Sequence, residues 1–229
     1  MCGTKEALKP VNVMRRAIAS PAVMERFLED CAEFVEAVTP MTPMDDADLG
    51  QFAHVVFEGA QGLLLDQRSR DFLHVTRSNT GIQNMAAIAR LAGIGRIEAT
   101  YATRAYLTRH GAGPMPDQRD ISQWFDAVDE TNVPNPWQNS IRYGLLDLEL
   151  LAAQVAEDVA KADGVKVGLT VAVSCLDQAL GDVEYLVAGI PASMPSAVFA
   201  SEVAQRVGVS RSVGVWSAGR ELHPASLAA

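Results

Sequence analysis

Apolar residues along this chain recur at two spacings, and their alternation predicts the architecture. Val23, Phe27, Cys31, Phe34, Val35 and Val38 fall at helical spacing after Ser20-Pro21, where serine can cap and proline is tolerated in a first turn. The other side of that helix holds Glu25, Glu29, Asp30, Glu33 and Glu36, a cluster that reads as a solvated face rather than a metal-binding set. Further helices are predicted at Gln83–Leu91, Leu145–Val159 and Pro195–Val207. Short apolar runs predict strands at Val55–Phe57, Ile97–Leu107, Val165–Val173, Val183–Val187 and Val213–Trp216. Strands and helices alternate, so the predicted fold class is α/β, a largely parallel sheet with flanking helices. Thr39–Pro43, with two prolines, reads as a linker between a helical N-terminal segment, residues 1–44, and an α/β core, residues 45–229. A solvated loop is expected at Asp45, Asp46 and Asp48, irregular backbone at Gly111–Pro116 and a further loop at Pro134–Pro136.

Composition narrows the function classes. A chain of 229 residues suits one α/β domain, and 48% hydrophobic against 6% aromatic residues means a core of Ala, Val and Leu. The formal charge of −9 argues against binding nucleic acid by phosphate neutralisation, yet one phosphate of a mononucleotide needs only a few local donors. Cys2, Cys31 and Cys175 are scattered, as are His54, His74, His110 and His223, so neither a zinc site nor a disulfide framework is expected. No stretch has the length of a signal peptide's apolar region or of a membrane span, and a soluble, cytoplasmic protein is expected. Trp124, Trp137 and Trp216 read as core or interface residues.

The stretch richest in chemistry follows the first predicted strand. Phe57-Glu58-Gly59-Ala60-Gln61-Gly62-Leu63-Leu64-Leu65-Asp66 breaks an apolar run into glycines, as α/β proteins do where they build a ligand loop. Gly59 and Gly62 flank Gln61, letting backbone approach a ligand and leaving one amide side chain to project. On the residues alone, a ligand loop and an ordinary strand-to-helix turn both stand.

Two further blocks follow in order: Val75-Thr76, then Ser78-Asn79-Thr80, and Thr108-Arg109, then Gly111-Ala112-Gly113-Pro114 and Pro116. Together the three blocks resemble the adenylosuccinate synthetase family, clearly over Val55–Pro116 and more faintly towards the C-terminus. That family joins aspartate to C6 of a purine nucleotide such as IMP: a nucleoside triphosphate phosphorylates O6, and the aspartate amine then displaces phosphate. The resemblance implies that Gln61 lies beside the purine O6, which makes it the one catalytic assignment, and that Thr76 contacts the 5′-phosphate. It implies Gly59, Gly62 and Asn79 in the same acceptor pocket, and Arg109, Gly111 and Gly113 along the ribose. Arg142 is implied on the substrate side, and Asp177, Ser217 and Gly219 around the base of the triphosphate. Mg2+ with GTP or ATP, a purine monophosphate (IMP, GMP or dGMP) and a homodimer are implied as cofactors and partners, and residues 45–229 become a nucleotide-binding core.

Four departures from the family pattern shape the expectation. The family's Gly-Asp-Glu-Gly-Lys-Gly-Lys phosphate loop, with its general base and the acid histidine that follows, has no counterpart before Val55, nor are metal ligands found. Of the arginine-rich aspartate loop and its flank only Arg142, Gly144, Leu146 and Asp147 remain, which argues against a bidentate grip on aspartate. The base-reading Thr-Lys-Leu-Asp becomes Ser174-Cys175-Leu176-Asp177, and the terminal Ser-Thr-Gly-Pro-Asp-Arg becomes Ser217-Ala218-Gly219-Arg220-Glu221. The chain is therefore expected to be the C-terminal product of a truncated or split gene, or a shortened homologue, with catalysis by it alone in question. Three alternatives stand beside the synthetase reading: the phage branch that makes 2-aminoadenine nucleotides from dGMP, a non-catalytic purine nucleotide-binding protein, and a subunit completed by another chain. His110 replaces an apolar family residue inside the third block.

Overall fold

A computed structural model describes residues 12–16, 18–38, 44–127, 132, 134–136, 139–209 and 211–214. Ser217, Gly219, Trp137 and Trp216, and the last two residues of the predicted strand Val213–Trp216, lie outside these. The chain divides into two units, Met1–Asp45 and Asp46–Ala229.

In the first unit, helix α1 (Pro21–Val38) forms as its periodicity predicts, with Arg26 paired to Glu29 and Asp30 along its polar side. None of its residues is buried, and Val23, Phe27, Phe34 and Val35 on its apolar side are exposed.

The second unit holds a parallel sheet of three strands in the order β1–β4–β7: β1 (Arg96–Arg104), β4 (Lys166–Ser174) and β7 (Ser212–Gly214). β1 and β4 run in full register from Arg96 opposite Lys166 to Arg104 opposite Ser174. Two antiparallel ribbons accompany it, β2 (Tyr106–Arg109) with β3 (Arg142–Leu145) and β5 (Val183–Val187) with β6 (Ile190–Met194). The helices are α2 (Gln83–Leu91), α3 (Leu148–Val159) and α4 (Ser196–Val207). The architecture is the mixed α/β one predicted, a parallel sheet with flanking helices.

Where the elements differ from expectation, hydrogen bonding gives the reason. The run Ile97–Leu107 is two strands, because the chain leaves the parallel sheet at the fully buried Ala105, whose N–H donates to Ser174 O at 2.9 Å. Leu145 ends β3 instead of opening a helix; Asp147 starts α3 by accepting from the N–H groups of Glu149 and Leu150. β6 went unpredicted, and it follows β5 through the two-residue turn Ala188-Gly189, both at positive φ, the geometry of a tight hairpin. Val55–Phe57 is no strand: it pairs with no other segment among the described residues, and Val56 is 90% exposed. Three apolar residues satisfy a strand pattern, but a strand exists only through its ladder. Asp46–Gln51, expected as loop, winds into a 3-10 turn whose Gly50 lies so close to the Ala92 carbonyl that a side chain there would collide with it.

The main core gathers Tyr106, Phe125, Leu145, Leu148, Val171, Val173, Phe199 and Val203, with Trp124 packed at its margin. A smaller cluster seats Ala86 and Ala89 of α2 over Ile97, Ala99 and Val167. Alternate positions of β1 are half-buried against this side, whereas Glu98, Thr100 and Ala102 are exposed. Parallel sheets are ordinarily covered on both faces; here the second face of β1 becomes a wall of a cleft.

Candidate nucleotide site

The glycine-rich loop forms one border of that cleft, which has a volume of about 1600 Å³. Strain falls on the glutamine: Gln61 has φ 79, whereas Gly59 and Gly62 do not need a left-handed backbone. Such a conformation is uncommon for a residue with a side chain and concentrates at functional sites. A side chain at Gly59 would press within 2.9 Å of Met85 Cε, while at Gly62 it would meet only open space. Gly62 thus borders open space in the cleft, and internal packing does not require a glycine there.

Gln61 and Thr76, fifteen positions apart in sequence, meet here: the Thr76 hydroxyl donates to Gln61 Oε1 at 3.0 Å. The backbone beneath them is fastened by Asp66, which is 7% exposed and accepts from the N–H groups of Arg68 at 2.9 Å and Thr80 at 3.0 Å. Thr80 adds a bond from its hydroxyl to Gly62 O at 3.1 Å, and Thr76 N–H donates to Leu65 O at 2.7 Å. Asp66 and Thr80 were not singled out as site residues, although an aspartate that ends an apolar run is the kind of acceptor such loops need. Asn79 bonds Gln67 and Asn84 and lines a smaller recess of about 440 Å³, which Gly59, Gln61 and Thr76 share with the large cleft.

Across the cleft, β2 and β3 present two arginines side by side. Arg109, 9% exposed, donates to His74 O at 2.6 Å and to Ala112 O. Burial, and secondly the positive charge of Arg142, hold its guanidinium below its ordinary value, while Asp71 acts in the opposite sense. Arg142 donates to Gly111 O, Gly113 O and Gln118 Oε1. The two guanidinium groups clamp the Gly111–Gly113 arch, where φ is 72 and 111 at the two glycines. A Cβ at Gly113 would stand 2.5 Å from both Arg109 Nη2 and His74 Cβ, so only glycine fits. Arg109 and Ala112 line the cleft; Arg142, Gly111 and Gly113 shape it from behind.

Asp177 lies at the C-terminal end of β4, in the short turn Leu176–Gln178, exposed and away from the cleft lining. The preceding Cys175 is buried with φ 62, its sulfur packed in the main core. His110 lines the cleft and is exceptional: among the described residues it alone has buried side-chain nitrogen or oxygen atoms without a partner, both ring nitrogens. Each unmet group of this kind costs on the order of 1–3 kcal/mol. Among the described residues no three His, Cys, Asp or Glu side chains converge to hold a metal ion, so the Mg2+ implied by the resemblance finds no cage of protein ligands there.

Comparisons with known proteins bear on the whole arrangement. Residues 4–201 match the sequence model of a family described as adenylosuccinate synthetase. An adenylosuccinate synthetase of Pseudomonas fluorescens is 37% identical over 106 residues, covering 43% of this chain and 24% of that protein. One of Coxiella burnetii is 35% identical over 103 residues, with the same two shares, and one of Ectopseudomonas mendocina is 36% identical over 110 residues. The chain thus matches about a quarter of the length of these relatives. With the family match running through the glycine loop, both arginines and the turn after β4, the chain belongs to the adenylosuccinate synthetase family.

Proposed function

We propose that this chain carries the acceptor-nucleotide site of a carbon–nitrogen ligase of purine biosynthesis, which joins aspartate to C6 of a purine monophosphate with hydrolysis of a nucleoside triphosphate. The observation that carries the reading is the Gln61–Thr76 pair on the cleft wall. Gln61 accepts from Thr76 through its carbonyl oxygen, which leaves the two N–H donors of its amide for a ligand oxygen. An amide donor aimed at the purine O6 favours the negative charge that O6 must carry to attack phosphorus. The Thr76 hydroxyl can turn its hydrogen from Gln61 to a ligand oxygen, and the resemblance makes that oxygen one of the 5′-phosphate. Family membership supports the reaction class, and a cleft of about 1600 Å³ holds a nucleotide with room for a second substrate.

The same reading makes the triphosphate GTP or ATP and the protein a cytoplasmic homodimer. In the part of the reaction this chain supports, its residues bind and orient the acceptor; no step runs through a metal ion. Calorimetric titration with IMP, GMP and dGMP tests the reading. At least one should bind with a dissociation constant below about 1 mM, a modest −4 kcal/mol for so large a cleft. No heat of binding from any of the three at millimolar concentration would overturn it.

A further inference from the structure

Among the described residues three arginines and no lysine line the cleft: Arg96, Arg104 and Arg109. Two of the three are already engaged. Arg96 is paired with Glu98 on the same face of β1, and Arg109 has its guanidinium on the carbonyl oxygens of His74 and Ala112. Arg104 stands apart, with neither a carboxylate nor a backbone carbonyl as partner among the described residues. A cation drawn partly out of water without a counter-charge is costly to the fold alone.

The strand fixes where that charge stands. Side chains two apart on β1 share a face, so Arg104 continues the row of Glu98, Thr100 and Ala102 that walls the cleft. It ends the row at the C-terminal edge of the parallel sheet, opposite Ser174, the last residue of β4. That edge is where open α/β sheets receive ligands. Unlike the three exposed residues before it, Arg104 is half-buried, and its guanidinium lies against the Tyr106 hydroxyl. Burial first, and then Cys175, raise that hydroxyl, and the Arg104 charge opposes them. Tyr106 O–H donates to Gln178 Oε1, which leaves the lone pairs of the phenol oxygen to hold the guanidinium. Arg104 is thus an oriented cation whose counter-charge is supplied from outside the protein.

A single guanidinium narrows the choice of partner. A dicarboxylate calls for a fork at each end, and the cleft offers one; a phosphate group presents several oxygens to a single fork. We infer that Arg104 binds a phosphate group of the nucleotide in the cleft, a residue to which the resemblance gives no role. The inference rests on the reading of the cleft as a purine nucleotide site. Thr76 brings a hydroxyl to a phosphate but no charge; Arg104 brings the charge. The phosphate belongs to the monophosphate or to the triphosphate, the chemistry is the same, and the two are separated by titration.

The test compares wild type, Arg104→Gln and Arg104→Lys by thermal melting and by calorimetry with IMP, GTP, inosine, guanosine, aspartate and tripolyphosphate. Arg104→Gln should melt near the wild-type temperature, because it has no ion pair to lose. It should bind IMP or GTP at least about tenfold more weakly, and whichever is weakened identifies the phosphate. Inosine and guanosine, which carry no phosphate, should bind both proteins alike. Arg104→Lys, which keeps the charge without the fork, should recover part of the loss. Added salt should weaken the affected nucleotide less in Arg104→Gln than in wild type. Unchanged affinity for both IMP and GTP overturns the inference and leaves the cleft reading intact. An equal loss with the nucleosides makes Arg104 a residue that shapes the cleft and overturns it too, as does a loss confined to aspartate. A fall of several degrees in the melting temperature of both variants, with unchanged affinity, makes Arg104 structural. If wild type binds neither IMP nor GTP, the cleft reading fails, and tripolyphosphate then decides alone: binding that needs Arg104 keeps a phosphate site, and no such binding overturns it.

Discussion

Two loops border the cleft, and they hold their shapes by opposite means. The loop pair Gln61–Thr80 is fastened from below by one carboxylate, Asp66, which gathers backbone N–H groups and leaves the Gln61 and Thr76 side chains bonded to each other on the cleft wall. The Gly111–Gly113 arch is fastened by two guanidinium groups, Arg109 donating to Ala112 O and Arg142 to Gly111 O and Gly113 O. The lesson is that charge in a cleft is not automatically charge for a ligand. On the first side the fixing group is buried and the candidate ligand-binding side chains, Gln61 and Thr76, line the cleft. On the second, Arg109 and Arg142 are largely occupied by the protein, and the free hydrogen-bonding capacity passes to the neighbouring His110.

That comparison is broken most severely by removing the fixing groups. Asp66→Ala leaves two N–H groups of a half-buried loop without an acceptor and is expected to cost about 3 kcal/mol. For a domain of this size that is roughly 6–12 °C in melting temperature, read by circular dichroism. A shift under about 2 °C would show that water replaces the carboxylate. Gly113→Ala attacks the other side, placing a Cβ in a left-handed backbone and against Arg109 and His74. The expected loss is about 2 kcal/mol in urea denaturation, and wild-type stability would mean that the arch can rearrange around a methyl group.

A smaller effect sharpens the contrast between fixing and available groups. Gln61→Ala and Thr76→Ala should each change stability by less than about 1 kcal/mol yet weaken purine monophosphate binding roughly five- to thirtyfold. Affinity unchanged in both variants would detach the pair from the ligand.

The smallest effect concerns the scaffold behind both loops. Asp158, 2% exposed, accepts from the Tyr101 hydroxyl at 2.7 Å and from Ile82 N–H at 2.9 Å, where α2 begins. Burial first, then this bond and the charge of Asp158, push the Tyr101 hydroxyl far above its usual range. A group raised in the folded state contributes fully below its unfolded pKa of about 10, and the contribution declines as pH rises beyond it. Tyr106 and Tyr185, both raised chiefly by burial, act in the same direction. Urea midpoints should therefore fall between pH 10 and 11.5 and fall less steeply in Tyr101→Phe. An identical slope in that variant would remove Tyr101 as a cause.

Much of this was legible in the chain. Helices α1, α2 and α4 and strands β4 and β5 were readable from apolar spacing, because each has a face or run long enough to dominate its neighbours. Gln61 and Thr76 were legible as candidate site residues from the glycine loop and the blocks after it, and the structure brings the two side chains into one hydrogen bond. The break at Ala105 was not readable, because Ile97–Leu107 is continuously strand-like and only the competing ladders of β4 and β3 divide it. The absence of a strand at Val55–Phe57 was equally hidden, since pairing is a property of two segments and the pattern belongs to one.

The sequence by itself determined the fold class, the order of the main elements, the family and the loop that carries the amide. These depend on side-chain periodicity and on short runs of residues, and both are local. Only the tertiary structure decided which polar groups are occupied: that Asp66 holds the loops, that Arg109 and Arg142 face carbonyl oxygens, and that His110 is left unmet. A hydrogen bond has two ends, and in the bonds of Asp66 to Thr80 and of Arg109 to His74 the ends lie 14 and 35 positions apart, brought together by the packing of the sheet and its ribbons.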